Sequence, residues 1–472
     1  MPGWLHLSDS SIARVVLQRG LGLTYLIAFT VALDQFPALL GERGLLPVDR
    51  FLARVRFRDA PSLFHLGYSD RRLAAVALSG MALSLLIVLG LPERWPALLS
   101  VAAWLAVWAL YLSIVNVGQV FYSFGWESLL LEAGFLAAFL GPRSTPVPAL
   151  LIWGFRWLLF RLEFGAGLIK MRGDPCWRDL TCLDYHHETQ PMPNPLSWYF
   201  HHLPRPLHRI EVLGSHFAQL AAPVLLFFPQ PIAAFAGLVM AITQSWLVLS
   251  GNFSWLNLTT IVLTASAMDD RVLGRVFPAV APGAAPAGWH ESVVLAVAAL
   301  VVALSFRPAR NLFSRRQLMN ASFDPLHLVN TYGAFGSISR DRYEVVIEGT
   351  SDERVTPETV WREYEFKGKP TDPGRRPGQW APYHLRLDWL MWFAALSPSY
   401  AEPWLGRLVR KLLEGDAACL RLLRRDPFSG TPPRAVRATL YLYRFTTPRE
   451  RRETGAWWAR TRLGQYLEPT RK

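Results

Sequence analysis

Between Arg156 and His216 the sequence gathers groups able to exchange protons, hold ions or pair with charge. The stretch "FRWLLFRLEFGAGLIKMRGD" carries Arg156, Arg161, Glu163, Lys170, Arg172 and Asp174. Directly after it, "WRDLTCLDYHHETQPMPNP" supplies Trp177, Arg178, Asp179, Tyr185, His186, Glu188, Gln190 and Asn194. Six of the 11 histidines lie between His186 and His216, His202 among them. Lys170 is the only lysine before residue 367 in a chain that otherwise uses arginine. A lysine pKa moves with burial whereas a guanidinium stays charged, so Lys170, His186 and Glu188 are the candidate acid–base groups. The competing reading is structural: Arg156 pairs with Glu163 two turns on, or with Glu127 or Glu132 of the preceding apolar segment, and holds helices together.

Other chemistries fit less well. A metal reading would draw on Cys176, Cys182, His186 or His187, but their spacing is not that of a CxxC zinc site and no HExxH helix is present, so no metal site is expected. No GxSxG elbow marks a nucleophile. Three cysteines cannot all pair with one another, which excludes a disulfide scaffold and leaves one Cys176–Cys182 bridge open.

These groups sit in a chain of 472 residues that is 51% hydrophobic and only 18% charged. That composition predicts a membrane protein. Apolar runs able to cross a hydrocarbon core are read at 12–33, 74–91, 95–115, 121–141, 147–168, 213–229, 231–250, 253–268 and 290–306, nine in all. Met1–Ser11 lacks the basic leader of a secretory signal, so the first run is expected to stay in the membrane. The charged helix 147–168 and the polar loop 169–212 belong to this part, and ionisable groups at membrane depth must pair or line a wet cavity. Gln190–Pro195, with three prolines, predicts a stiff extended segment leaning on the bundle.

After Phe306 the texture changes. Tyr343–Gly349, Glu363–Lys367 and Thr439–Phe445 alternate with a period of two and predict half-buried strands, with Glu344 and Glu348 on the outer side of the first. Trp404–Arg425 has helical spacing, broken at Gly415 and restarted by Asp416 as a cap. The expected organisation is a polytopic α-helical membrane domain over 1–306 and a soluble α+β domain with antiparallel strands over 307–472, its tail from Pro448 loosely held. With nine spans, that domain shares a side with the loops 34–73 and 169–212. Those loops hold twelve Lys and Arg against four on the opposite side, which by the positive-inside rule points to the cytoplasm. A formal charge of +13 brings no nucleic-acid motif with it, so no nucleic-acid partner is expected.

The stretches "GAGLIKMRGDPCWRDLTCLDYHHETQPMPNPLSWYFHHLP", "SGNFSWLNLTTI", "SFDPLHLVNTYGAFGSISRDRYEVVIEGT" and "RRPGQWAPYHLRLDWLMWFAAL" resemble the lipase maturation factor family over about residues 120–445. The resemblance implies a multi-pass membrane protein, resident in the endoplasmic reticulum in eukaryotes. It implies a chaperone-type role without a cofactor, helping secreted clients such as lipases to mature, with membrane lipids and the client as partners. It makes Asn330, Tyr332, Arg342, Glu344, His384, Arg386, Asp388 and Trp389 the candidate client-binding residues. Where the resemblance implies cysteines, this chain has Gly368 and Gly378. With the arginine-rich composition, that points to a bacterial plasma membrane. The membrane half, through "RGLGLTYLIAF" and its helical layout, is also loosely similar to vitamin K-dependent carboxylase-like proteins. That similarity implies the alternative of a membrane-embedded enzyme acting on a lipid or quinone-linked substrate.

Overall fold

In lipid, a backbone must satisfy its own hydrogen bonds, so apolar runs of this length fold as helices. The computed structural model describes residues 6–283 and 288–471. Its main helices are α1 (Ser11–Leu39), α2 (Asp70–Val88), α3 (Ala97–Asn116), α4 (Gly125–Ala138), α5 (Ala149–Arg172), α6 (Leu183–Thr189), α7 (Arg205–His216), α8 (Ile232–Ser250), α9 (Leu256–Thr264) and α10 (Gly288–Leu304). The helix α1 runs against α2, where Gly80 lets Phe29 approach so closely that an added Cβ would collide with its ring. Small residues at such crossings are how helices pack without a hydrophobic gradient between them.

Among the described residues, five helices are long and apolar enough to cross a membrane: Ser11–Leu39, Asp70–Val88, Ala97–Asn116, Ile232–Ser250 and Gly288–Phe313. The nine expected spans reduce to these five by that measure. The other four segments are helical but of a different kind. At 121–141 lies α4, 14 residues long and buried along its whole length. At 147–168 lies α5, which is long but carries five Arg, Lys and Glu by its end. The segment 213–229 is broken by a π turn at Phe217–Ala221. The segment 253–268 is a nine-residue helix ending in a 3-10 turn. Polar and broken segments of this sort are tolerated at depth where protein surrounds them.

The C-terminal part has four strands, β1 (Arg342–Thr350), β2 (Arg362–Glu363), β3 (Ala435–Phe445) and β4 (Trp458–Arg471), in the antiparallel order β2-β1-β3-β4. Arg342 lies opposite Tyr443, and Thr350 opposite Ala435. Helices α11 (Arg386–Leu396) and α12 (Leu405–Glu414) pack nearby, α11 against β1 and α12 against β3. The expected break is present: Gly415 adopts φ 68°, and the Asp416 side chain caps the next helix by accepting from the Cys419 backbone N–H.

The strand read at Glu363–Lys367 is reduced to Arg362–Glu363 with an isolated bridge at Glu365, and two further expectations fail. The tail after Pro448 is not loose: a capped helix, Pro448–Thr454, leads into β4, which pairs along β3 from Ala435 to Phe445. Nor is β1 half-exposed, for Glu344 and Glu348 are both buried on its far face. Both errors have one cause. A second layer covers the sheet, and one apolar core runs from α1 through Phe121 and Trp255 to Trp389, Trp404 and Val436, so the C-terminal part is docked on the helical bundle.

Candidate functional site

The polar block is a set of joints. At its start, Asp174 follows the end of α5; its side chain accepts from the Cys176 N–H and from both terminal nitrogens of Arg340, at 2.8 and 3.1 Å. The Arg340 guanidinium holds the Asp174 carboxyl below the usual carboxylate range. A lowered folded-state pKa stabilises above the unfolded value and is lost as pH falls through the folded one, so this clamp releases only in acid. Cys176 and Cys182 are joined in a disulfide, and the Trp177 indole donates to the Phe335 carbonyl at 2.8 Å. Arg340 stacks over Tyr185, while Arg178 and Asp179 are exposed.

The proline-rich segment caps a spanning helix. Orphan carbonyls at the end of α8 need donors. Gln190 Nε2 donates to Ser250 O at 2.9 Å, Ser197 Oγ to the same oxygen at 2.7 Å, and Asn194 Nδ2 to Val248 O at 3.1 Å. Amides and prolines in this stretch therefore have a common purpose, to lie across a helix end and satisfy it. His202 Nδ1 donates locally to Trp198 O, and His186 packs between Phe253 and Phe335. Glu188 accepts from the Phe445 N–H at the end of β3.

The ionisable groups of α5 separate into three environments. Arg156 does not pair with Glu163, Glu127 or Glu132; it donates to the carbonyls of Ser266 at 2.8 Å and Leu226 at 3.3 Å. Arg161 forms an ion pair with Glu132. Glu163 accepts from Gln244 at 2.6 Å, and Gln244 accepts in turn from Asn257. Lys170 donates to Gln219 at 2.9 Å and Ser215 at 3.3 Å over the face of Trp177, and Arg172 donates to Gln317. Lys170, His186 and Glu188, proposed together as acid–base groups, thus have separate partners.

Two glutamates of α4 tie the C-terminal part to the bundle. Glu132 accepts from the Asn330 backbone and side chain, each at 2.9 Å, and from Tyr332 Oη at 2.8 Å, besides Arg161. Glu127 accepts from Tyr111 and lies 2.8 Å from Nη1 of Arg386, whose hydrogen bond is to Phe121 O at 2.7 Å. His384 and Trp389 pack on Trp126 beside this pair. A third joint is in the sheet: Arg342 donates to the carbonyls of Glu188 and Pro191, at 2.9 and 3.2 Å, and to Glu344, which also meets Lys369 at 2.9 Å. Asp388 accepts from the Gly368 and Lys369 N–H groups.

All eight residues marked for client binding are buried, none more than 3% exposed. Asn330, Tyr332, Arg342, Arg386 and Trp389 meet the helical part or the polar loop, whereas Glu344 and Asp388 are held within the C-terminal part. Sequence reading missed Lys369, Gln219, Gln244 and Ser197. Of these Lys369 gave a signal as one of five lysines, and Gln219 as a polar residue inside the apolar run 213–229.

A bundle of spanning helices fastened by buried ion pairs to a strand-bearing C-terminal part defines a multi-pass integral membrane protein. Comparison with known proteins then places it: the chain belongs to the lipase maturation factor family. The lipase maturation factor transmembrane domain matches residues 12–275, and the lipase maturation factor C-terminal domain matches residues 328–468. Lipase maturation factor 1 of Homo sapiens is 44% identical over 99% of this chain and 89% of its own length. Lipase maturation factor 1 of Mus musculus is 42% identical over 100% and 89%, and lipase maturation factor 2 of Homo sapiens is 29% identical over 98% and 83%. No solved structure matches the chain. These matches lend nothing to the carboxylase-like alternative.

Proposed function

We propose that this protein assists the folding, assembly or maturation of secreted client proteins such as lipases. The observation that carries the reading is similarity to lipase maturation factor 1 along nearly the whole of both chains, membrane and C-terminal parts included. The site geometry agrees with a non-catalytic role, since Lys170, Glu163, Glu188 and Arg161 are engaged with partners in the protein itself. The buried residues of the C-terminal part that meet the bundle act by fixing its orientation there, and clients meet its outer surface.

The test is maturation in the native host. Deleting the gene is expected to lower the activity of a secreted lipase several-fold per lipase chain, with recovery on re-expression. Unchanged lipase activity, with every secreted protein at its normal specific activity, would reject the reading.

We also place the protein in a bacterial plasma membrane with the polar loop and C-terminal part on the outer side. Arginine-rich composition and glycine at 368 and 378 support the first point. The Cys176–Cys182 disulfide supports the second, because such bonds persist in oxidising compartments. We set it above the positive-inside count, which still stands at ten against four without Lys170 and Arg172, because loops that fold against a domain can override that rule. A C-terminal alkaline phosphatase fusion is expected to be active and a GFP fusion dark; the reverse pattern would put this side in the cytoplasm.

A further inference from the structure

Helices α6 and α7 bring together three side chains that neither the joints nor the proposed role uses. The ligand atoms of His187, His208 and Glu211 all lie within 4.8 Å of one another, with His187 Nε2 and Glu211 Oε2 3.8 Å apart. His208 and Glu211 stand three apart on α7, so they share one helix face. His187 comes from α6, across the loop.

Their hydrogen bonding is incomplete in a particular way. Both histidines are buried, and neither ring nitrogen of His187 has a hydrogen-bond partner among the described residues; nor has Glu211 Oε2. A buried polar atom left without a partner is costly, and native structures rarely leave several in one place. The outward atoms of the same side chains are well held. His208 Nδ1 faces Asp184 Oδ1 at 3.2 Å, and Glu211 Oε1 accepts from the Trp246 indole at 2.7 Å. A carboxylate behind one histidine and a donor behind the carboxylate are the outer supports that orient metal ligands.

We propose that His187, His208 and Glu211 bind a divalent first-row transition ion, zinc by preference. Two imidazoles and one carboxylate suit zinc and iron(II) rather than calcium or magnesium, which favour all-oxygen sites. Both His208 nitrogens are held, Nδ1 against Asp184 Oδ1 at 3.2 Å and Nε2 against the Phe200 carbonyl at 3.0 Å, so binding exchanges one of these hydrogen bonds for the ion. Donors about 2.0–2.2 Å from a tetrahedral ion stand roughly 3.3 Å apart, so the triad closes by about 0.5–1.5 Å on binding. The bound ion pins amphipathic α7 to the polar loop and, through Trp246, to the spanning helix α8. The site shares only His187 with the Cys176, Cys182, His186 or His187 set weighed from the sequence, and draws its other two ligands from α7.

The experiment uses the full chain, purified in mild detergent with any affinity tag removed and stripped with chelator. Adding Co²⁺ alone is expected to produce visible d–d absorption saturating at one ion per chain and reversed by Zn²⁺. Anaerobic Fe²⁺ competition in the same assay separates iron preference from zinc. Asp184→Asn is expected to weaken binding about 10–100-fold, and Glu211→Gln to remove the signal, while His202→Ala leaves it intact. The wild-type titration does not depend on any variant folding. No absorption and no stoichiometric zinc in folded wild-type protein would falsify the site, as would full binding by Glu211→Gln.

Discussion

Arg386→Ala is expected to cost about 3–5 kcal/mol and to abolish recovery of monodisperse protein from detergent, because it leaves a buried charge without its partner. Glu127 is fully buried in α4, and with Arg386 gone its hydrogen-bonded contact is Tyr111. The guanidinium also donates to Phe121 O and lies over the Tyr122 ring, so packing is lost with the charge. Against a typical total of about 5–15 kcal/mol, one such loss is a large fraction. The double change Glu127→Gln with Arg386→Met should recover much of the thermal midpoint, since removing both charges also removes the desolvation cost of each. Thermal unfolding followed by size-exclusion chromatography measures both. A single mutant as stable as the parent would show that apolar packing alone docks the C-terminal part.

Arg342→Ala is expected to have a comparable effect, about 3–5 kcal/mol, with a local signature in the polar loop. Its side chain serves the carbonyls of Glu188, Gln190 and Pro191 as well as Glu344. Without it the loop carbonyls lose their donor and Glu344 retains Lys369. Limited proteolysis should then cut within 188–195 much faster than in the parent. Arg342→Lys should not restore protection, because one ammonium cannot reach acceptors spread around a planar guanidinium. Protection restored by lysine would mean that charge, not the fork geometry, holds the loop.

The two variants bear differently on function. Each is expected to lower client maturation through misdocking, so activity should fall in step with folded protein. A variant of either residue that folds normally yet fails in maturation would indicate a direct client contact after rearrangement.

Much of the architecture was legible locally. The strands Arg342–Thr350 and Ala435–Phe445 lie where alternation placed them, and the stop at Gly415 with its cap at Asp416 follows from backbone chemistry that involves a few neighbouring residues. The last strand was not legible, because "WARTRLGQYLEPTR" has no clear alternation and owes its conformation to pairing with β3. Span counting failed for a similar reason. Apolar content shows that a segment avoids water, but α4 is buried in protein along its whole length whereas most of α2 is not, and composition does not separate the two.

Taken alone, the sequence determined a helical membrane protein with a strand-bearing C-terminal part, and its motifs resembled one family. It also marked Arg161, Glu163, Lys170, Arg342 and Arg386 as groups needing an explanation. Only the tertiary structure decided what each one does. Arg156 and Glu163 share a helix face but stand seven residues, about 10 Å, apart along the axis, too far for a direct ion pair. Arg156 finds carbonyls at Leu226 and Ser266, and Arg386 finds Glu127, a residue far away in the chain. A buried charge is stable only with the partner that folding brings to it, and that partner is set by the packing of every surrounding element.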